Sequence, residues 1–232
     1  MLLLYWDSSR LISIIIHSKP VTQLSADMTG IVRLEGVAIS ETAVTDEGTL
    51  RQKYAMLQKE PFRWECSRSG CEYKLNDSLN PKIWGGLTVN GLDIQAERYH
   101  FYTNWLPLNI ETVESDHLFR IYEGGSSRPL LVEKSKSTAY GYYAVSSGDW
   151  ITVIGQAKNG RLEPFTFPGN EDMQPVILIG DSLERMVSKE KGIRTAYMVV
   201  GIFVMLLLLP KTIGRIRHVY GKLIARNKRG KP

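Results

Sequence analysis

Sixteen consecutive residues, TAYMVVGIFVMLLLLP, lie between Arg194 and Lys211 without a single charge. A run that is apolar on every helical face needs an apolar surrounding, either a protein interior or a lipid one. As a helix rising about 1.5 Å per residue it covers about 24 Å, short of a ~30 Å hydrocarbon core. The flanks close the gap. The stems of Arg194 and Lys211 reach outward with their charges at the headgroups, and Thr212, Ile213 and Gly214 add a further turn. A buried helix of a soluble domain is the competing reading. Against it, the run is followed by eight basic residues and no acidic one.

The net charge of +5 conceals an asymmetry. Nine of the 29 basic residues and none of the 24 acidic ones fall in 192–232, so the first 191 residues carry a net −4. A pI near 9.1 invites a nucleic-acid reading, but cations packed behind an apolar run are membrane flanks, and no nucleic-acid partner is expected. Arg194, Lys211, Arg215 and Arg217 are the flanking charges. Because positive residues stay on the cytoplasmic side, the tail is expected in the cytosol. The acidic body is then extracytoplasmic or in an intermembrane space, and the expected partners are the lipid bilayer and membrane or membrane-proximal proteins. Ile213, Ile216, Tyr220, Leu223 and Ile224 recur at helical spacing in the tail, a stripe suited to lying on anionic lipid; a frayed, solvated tail is the alternative.

The opening MLLLYWDSSRLISIIIHSKP is also greasy, but Asp7 and Arg10 interrupt it and it lacks a secretory cleavage pattern. Residues 1–20 have three readings: the remnant of a first membrane helix whose start is missing, an interfacial helix, or a strand-like segment. The first would explain how the body is exported, at the cost of making the chain two-pass rather than single-pass.

Residues 21–180 read as strands. GIVRLEGVAI alternates until Gly36, where a bulge or a close approach is expected. A hairpin is expected with strands at 118–122 and 129–132 around Gly124, Gly125, Ser126 and Ser127. Ser147, Gly148 and Asp149 turn into a strand over 150–157; Asn159 and Gly160 turn it back along 161–167. PVILIG suits a buried last strand, and Trp150, Val153 and Ile154 are expected in the core. Asp181 with Glu184 three residues on predicts a capping box opening a short helix over 181–192, with Gly192 a break or kink before the membrane helix at 193–212 and the basic tail at 213–232. The fold class expected is mainly β: an antiparallel, barrel-like domain, then a short helix and one C-terminal transmembrane helix.

No motif carries catalysis. Cys66 and Cys71, in ECSRSGCEY, are close enough for a disulfide, which an oxidising compartment favours. Two free thiols or a metal pair are the alternatives, the last without a histidine nearby. His100 and His117, with Glu97, Glu114 and Asp116, allow an acid–base site to be drawn, but no spacing supports one, and surface or hydrogen-bonded histidines are the expectation. Tyr99, Phe101, Tyr102 and Trp105 would suit a base-stacking platform only beside basic residues, so a core strand or protein-binding patch is expected. IWGGLTVNG lacks the lysine and helix of a phosphate loop. No catalytic residue, cofactor or metal site is assigned.

KPVTQLSADMTGIVRLEGVA, with its G-x-V-x-L-x-G-x-A strand, resembles the entry of GIDE-type domains, also called beside-a-membrane domains. FRIYEGGSSRPLLVE and SSGDWITVIGQAKNGRL resemble two later motifs of that family, and the helix, span and basic end follow in its order. The resemblance covers about residues 20 to 210, with 40–117 matching poorly. The family includes the Mulan group of mitochondrial RING-type E3 ubiquitin ligases, whose segment after the second span binds zinc. Here that segment holds His218 and no cysteine, so the resemblance implies the scaffold without the transferase chemistry. It implies a non-catalytic, membrane-anchored binding or assembly module. A family member or component acting in ubiquitination or organelle organisation, and an integral subunit of a larger membrane complex, are the alternatives.

Overall fold

The computed structural model describes residues 2–68, 70–76, 78–109, 111–114, 121–122, 130–135, 137–166 and 174–229, with backbone alone at 2–5, 121–122, 134–135 and 208–229. It is mainly β, with a sheet curled into a half-barrel and a C-terminal helix.

One sheet runs in the order β7 (Leu92–Ile94), β6 (Leu87–Val89), β2 (Gly30–Ile39), β12 (Trp150–Lys158), β14 (Ile177–Gly180) and β8 (Tyr99–Phe101). The short β1 (Lys19–Pro20) joins β2, and β13 (Arg161–Glu163) joins β12. The second sheet runs β4 (Gly70–Leu75), β3 (Met56–Ser67), β11 (Thr138–Val145), β10 (Leu131–Ser135) and β9 (Ile121–Tyr122), with β5 (Lys82–Gly85) also on β3. The fold is not antiparallel throughout: β1 pairs parallel with β2, and β14 parallel with β8. Long connections permit the β14–β8 pairing, because 75 residues separate Phe101 from Ile177 and the chain visits the other sheet between them.

β2 shows why the alternation was readable. Val32, Leu34, Gly36 and Ala38 point inward while Glu35, Val37 and Ile39 are exposed. Gly36 is no bulge, since the β2–β12 register runs unbroken from Gly30 opposite Ala157 to Val37 opposite Trp150. It is a close approach: a Cβ there would run into Asn90 Oδ1. Asn159 and Gly160 both take positive φ, 52° and 74°, and join Lys158 to Arg161 as a two-residue hairpin. The β9–β10 pairing is antiparallel as expected, Leu131 opposite Tyr122, while the turn at 124–127 lies outside the described residues.

The main core lies between the sheets, where Leu34, Val153, Ile177 and Ile179 meet Met56 and Val145. A second cluster covers the opposite face of the first sheet. There α1 (Leu2–His17) and the root of α2 (Leu183–Arg229) bury Leu11, Ile15 and Met186 against Ile154 and Leu178. Two covered faces explain why β14 is buried at all four positions and reads as an unbroken apolar run.

Within the expected segment 1–20, Leu2–His17 is a helix rather than a strand, docked by Leu11, Ile12 and Ile15, and only Lys19–Pro20 pairs as the short strand β1. Trp150 is a correction to the expected core. Val153 and Ile154 are fully buried, but Trp150 is 60% exposed. It shares the outer face with Ile154, four residues earlier along the strand than the area the helices cover. The expected break at Gly192 is also corrected, because α2 continues unbroken from Leu183 to Arg229. A glycine costs an exposed helix only about 1 kcal/mol, too little to stop one that is anchored at its root.

Candidate functional site

The candidate site is the joint where α2 leaves the sheets, together with the helix surface beyond it. β14 ends at Gly180, where a Cβ would lie 2.5 Å from Met186 Cγ, so the missing side chain lets the first turn of α2 settle on the sheet. Ser182, not Asp181, caps the helix: Arg185 N–H donates to Ser182 Oγ at 3.2 Å, and Met186 N–H to the Ser182 carbonyl at 3.1 Å. Glu184 thus falls one position too early for a capping box. Asp181 instead pairs with Arg185 one turn on.

Glu190, 4% exposed, locks the joint. Its Oε1 accepts from the Tyr102 hydroxyl at 2.9 Å and its Oε2 from Ser8 Oγ at 2.8 Å. One carboxylate thereby ties α1, α2 and the segment after β8. Lys189 adds a donation to the Thr103 carbonyl at 2.6 Å. Burial, and then the charge of Glu190, push the Tyr102 phenol well above its ordinary pKa, so it remains a donor. Burial, and then Arg185, push Lys189 down. A buried carboxylate is costly unless its oxygens are satisfied, and here both are. Such an arrangement orients helices; it presents no activated nucleophile. α1 ends where the strands begin and α2 starts where they finish. With Ser8 beside Glu190, the two helices therefore run antiparallel.

Beyond the joint, the apolar run of α2 meets no partner among the described residues. Ile193, Met198, Val199, Val200 and every residue from Ile202 to Leu207 are exposed, Phe203 by 62% and Met205 by 68%. At 3.6 residues per turn these positions occupy all faces of the helix. Arg194 is half-buried at the near end. Lys211, Arg215 and Arg217 are on the helical backbone of α2, with side chains outside the described set. Among the described residues no helix is long and apolar enough to cross a membrane, and their side chains end at Leu207, inside the apolar run.

The other sequence candidates lie elsewhere. Cys66 and Cys71 face each other across β3 and β4 and are joined, with S–S 2.05 Å. Tyr99, Phe101 and Tyr102 are buried, and Phe101 and Trp105 both stack on Tyr143, so this cluster is core rather than a platform for bases. His100 sets its ring edge against Tyr102; Glu97 lies three residues before it at the entry to β8, Glu114 is on a separate segment, and His117 and Asp116 lie outside the described residues. Among the described residues no group of three or more His, Cys, Asp and Glu is placed to hold a metal. An open groove of about 510 Å³ is lined by Asp46, Glu47, Lys53, Lys82 and Trp84, a mixed-charge surface with no convergent polar set.

Sequence reasoning missed Ser8, Tyr102 and Glu190 as a unit. Glu190 sits in SKEKG, which reads as a solvated helical turn; only the docking of α1, 182 residues away, buries it. No family model matches the chain, nor does any curated protein or solved structure.

Proposed function

We propose that this chain is a membrane-anchored, non-catalytic binding or assembly module, built like a GIDE-type domain and lacking the RING chemistry of the ligases that share it. The observation that carries this reading is the exposed apolar surface of α2, which begins three residues after the buried Glu190 and surrounds the helix. Soluble monomers rarely leave such a surface uncovered. The residues from Thr195 through Pro210 then span the bilayer, and the basic tail stays in the cytosol. The head lies on the other side, where the Cys66–Cys71 bond is at home in an oxidising compartment.

The mechanism is confinement. A head held in a thin layer meets membrane partners at a raised effective concentration, and because the helix is rooted by Met186 and Glu190 rather than by a flexible linker, it also meets them in a fixed orientation. Alkaline carbonate extraction and vesicle flotation test the anchor, and impermeant thiol labelling of a cysteine added after Arg229 tests the direction. The expected results are retention in the membrane fraction and no labelling from outside. Release by carbonate would overturn the anchor; labelling of the tail on intact cells or organelles would invert the topology.

A further inference from the structure

We propose that the Cys66–Cys71 bond is a thiol–disulfide exchange site, opened by a dithiol reductant, and that its state sets whether the tip of the β3–β4 hairpin is ordered. This concerns the head alone and holds whether or not α2 spans a bilayer. Access is the first ground for it. Cys66 and Cys71 are both exposed, as are Ser67, Arg68 and Gly70 around them, so a reductant reaches the bond without any part of the core opening.

Position is the second ground. The pairing of β5 with β3 stops at Lys59 and that of β11 at Arg63, after which the Trp64 N–H still donates to the Ser137 carbonyl at 3.0 Å. From Glu65 to Ser67, β3 has β4 as its one strand neighbour among the described residues. The apolar packing reaches Phe62, Tyr73 and Leu75 and goes no further toward the tip. The bond spans a sequence separation of only 5, between residues that the ladder already sets opposite each other. A staple for the whole fold would join distant elements and close a long loop; this bond does neither.

What it does hold is the tip. One pair back on the same face, Trp64 and Tyr73 meet with ring centroids 4.7 Å apart, and the Tyr73 hydroxyl donates to Glu133 Oε1 at 2.8 Å, fastening the hairpin to β10. On the other face Arg63, Glu65, Lys74 and Glu72 form ion pairs in open positions, which contribute little. A two-stranded ribbon is marginal in water on its own. Opening the bond therefore frees the tip as far as the Trp64–Tyr73 pair and leaves the sheets behind it intact.

In the exchange, one thiolate of the reductant attacks one of the two Sγ atoms, forms an intermolecular disulfide and expels the other Sγ as a thiolate. The second thiolate of the reductant then breaks the mixed disulfide and leaves as part of an oxidised dithiol. Two electrons and two protons pass to the chain, which ends with two cysteine thiols.

The test uses the full chain in detergent with dithiothreitol as the probe, across a urea series below the unfolding transition, with free thiols trapped by iodoacetamide and counted by mass. The rate of reduction is expected to be flat in urea. A rate rising about tenfold or more per molar urea, the sensitivity of global unfolding, would overturn the proposal, as would no reduction at all. In the reduced protein, hydrogen exchange is expected to quicken in the peptide covering 63–75 and to stay unchanged in β2 and β12. Unchanged exchange at 63–75 would leave a bond that switches nothing, and loss of cooperative melting would make it a staple; either result refutes the switch. The C66S/C71S chain is expected to fold, to reproduce the quickened tip and to ignore dithiothreitol, and its failure to fold would likewise refute it.

Discussion

The two ends of α2 obey the same helical geometry and meet opposite fates. Over residues 183–190 the helix buries Met186 and Glu190, an apolar and a charged side chain, against the sheet and α1. Over 198–207 it carries one of the most apolar stretches in the chain and buries almost none of it. Hydrophobicity therefore does not decide burial within this chain; the presence of a matching surface does. The root has found its partner in the fold, whereas the apolar length meets none among the described residues.

The most severe way to break this contrast is to damage the root. Met186→Ala removes a fully buried side chain seated on Gly180 and should cost about 2–5 kcal/mol. In thermal unfolding of the detergent-solubilised protein, the head is expected to melt markedly lower while carbonate-resistant membrane association is unchanged. A matched loss of both would mean that root and apolar length are one unit. The mirror experiment is Val204→Arg. A charge at the centre of a span costs about 2.5–3.5 kcal/mol on insertion scales, so membrane retention should fall while the melting temperature stays put. An unchanged membrane fraction would remove the span from the account.

A smaller effect isolates the polar lock. Glu190→Gln keeps the shape but replaces the charged acceptor of Tyr102 and Ser8 with an amide that offers one oxygen and two donors. The expected cost is about 1–3 kcal/mol, with hydrogen exchange quickening in α1 before the core strands β2 and β12. Exchange that quickens equally throughout would show that the carboxylate does not hold α1 in place.

The same contrast explains what was legible in the sequence. β2, β12 and β14 were readable because their signals are local: alternation in one, a positive-φ Asn–Gly turn ending another, and a continuous apolar run in the third. Residues 40–117 were not, although β3 is the longest strand. Its inward face carries Gln58 and Glu60, and Pro61 argues against a strand on composition. The reason lies 41 residues away: the Gln58 amide gives a hydrogen bond to the Tyr99 carbonyl at 3.0 Å and takes one from the Tyr99 N–H at 3.1 Å, standing in for a strand neighbour. Glu190 was hidden in the same way. Polar side chains buried by long-range partners leave no periodicity behind, whereas turns and apolar runs do.

The smallest effect is expected at Gly192, between the two ends. A Cβ there has nothing within 4 Å, and the helix passes through without a break. Gly192→Ala should therefore stabilise the helix by about 0.5–1 kcal/mol, through the lower backbone entropy that alanine loses on ordering. How much of that gain appears in the melting of the head measures how far the root and the apolar length fold together. A rise of a degree or two means the order set by Met186 and Glu190 extends past residue 192. No rise, with retention in the membrane intact, means the position works as a hinge in spite of its helical backbone, and the root would then not fix the orientation of the head.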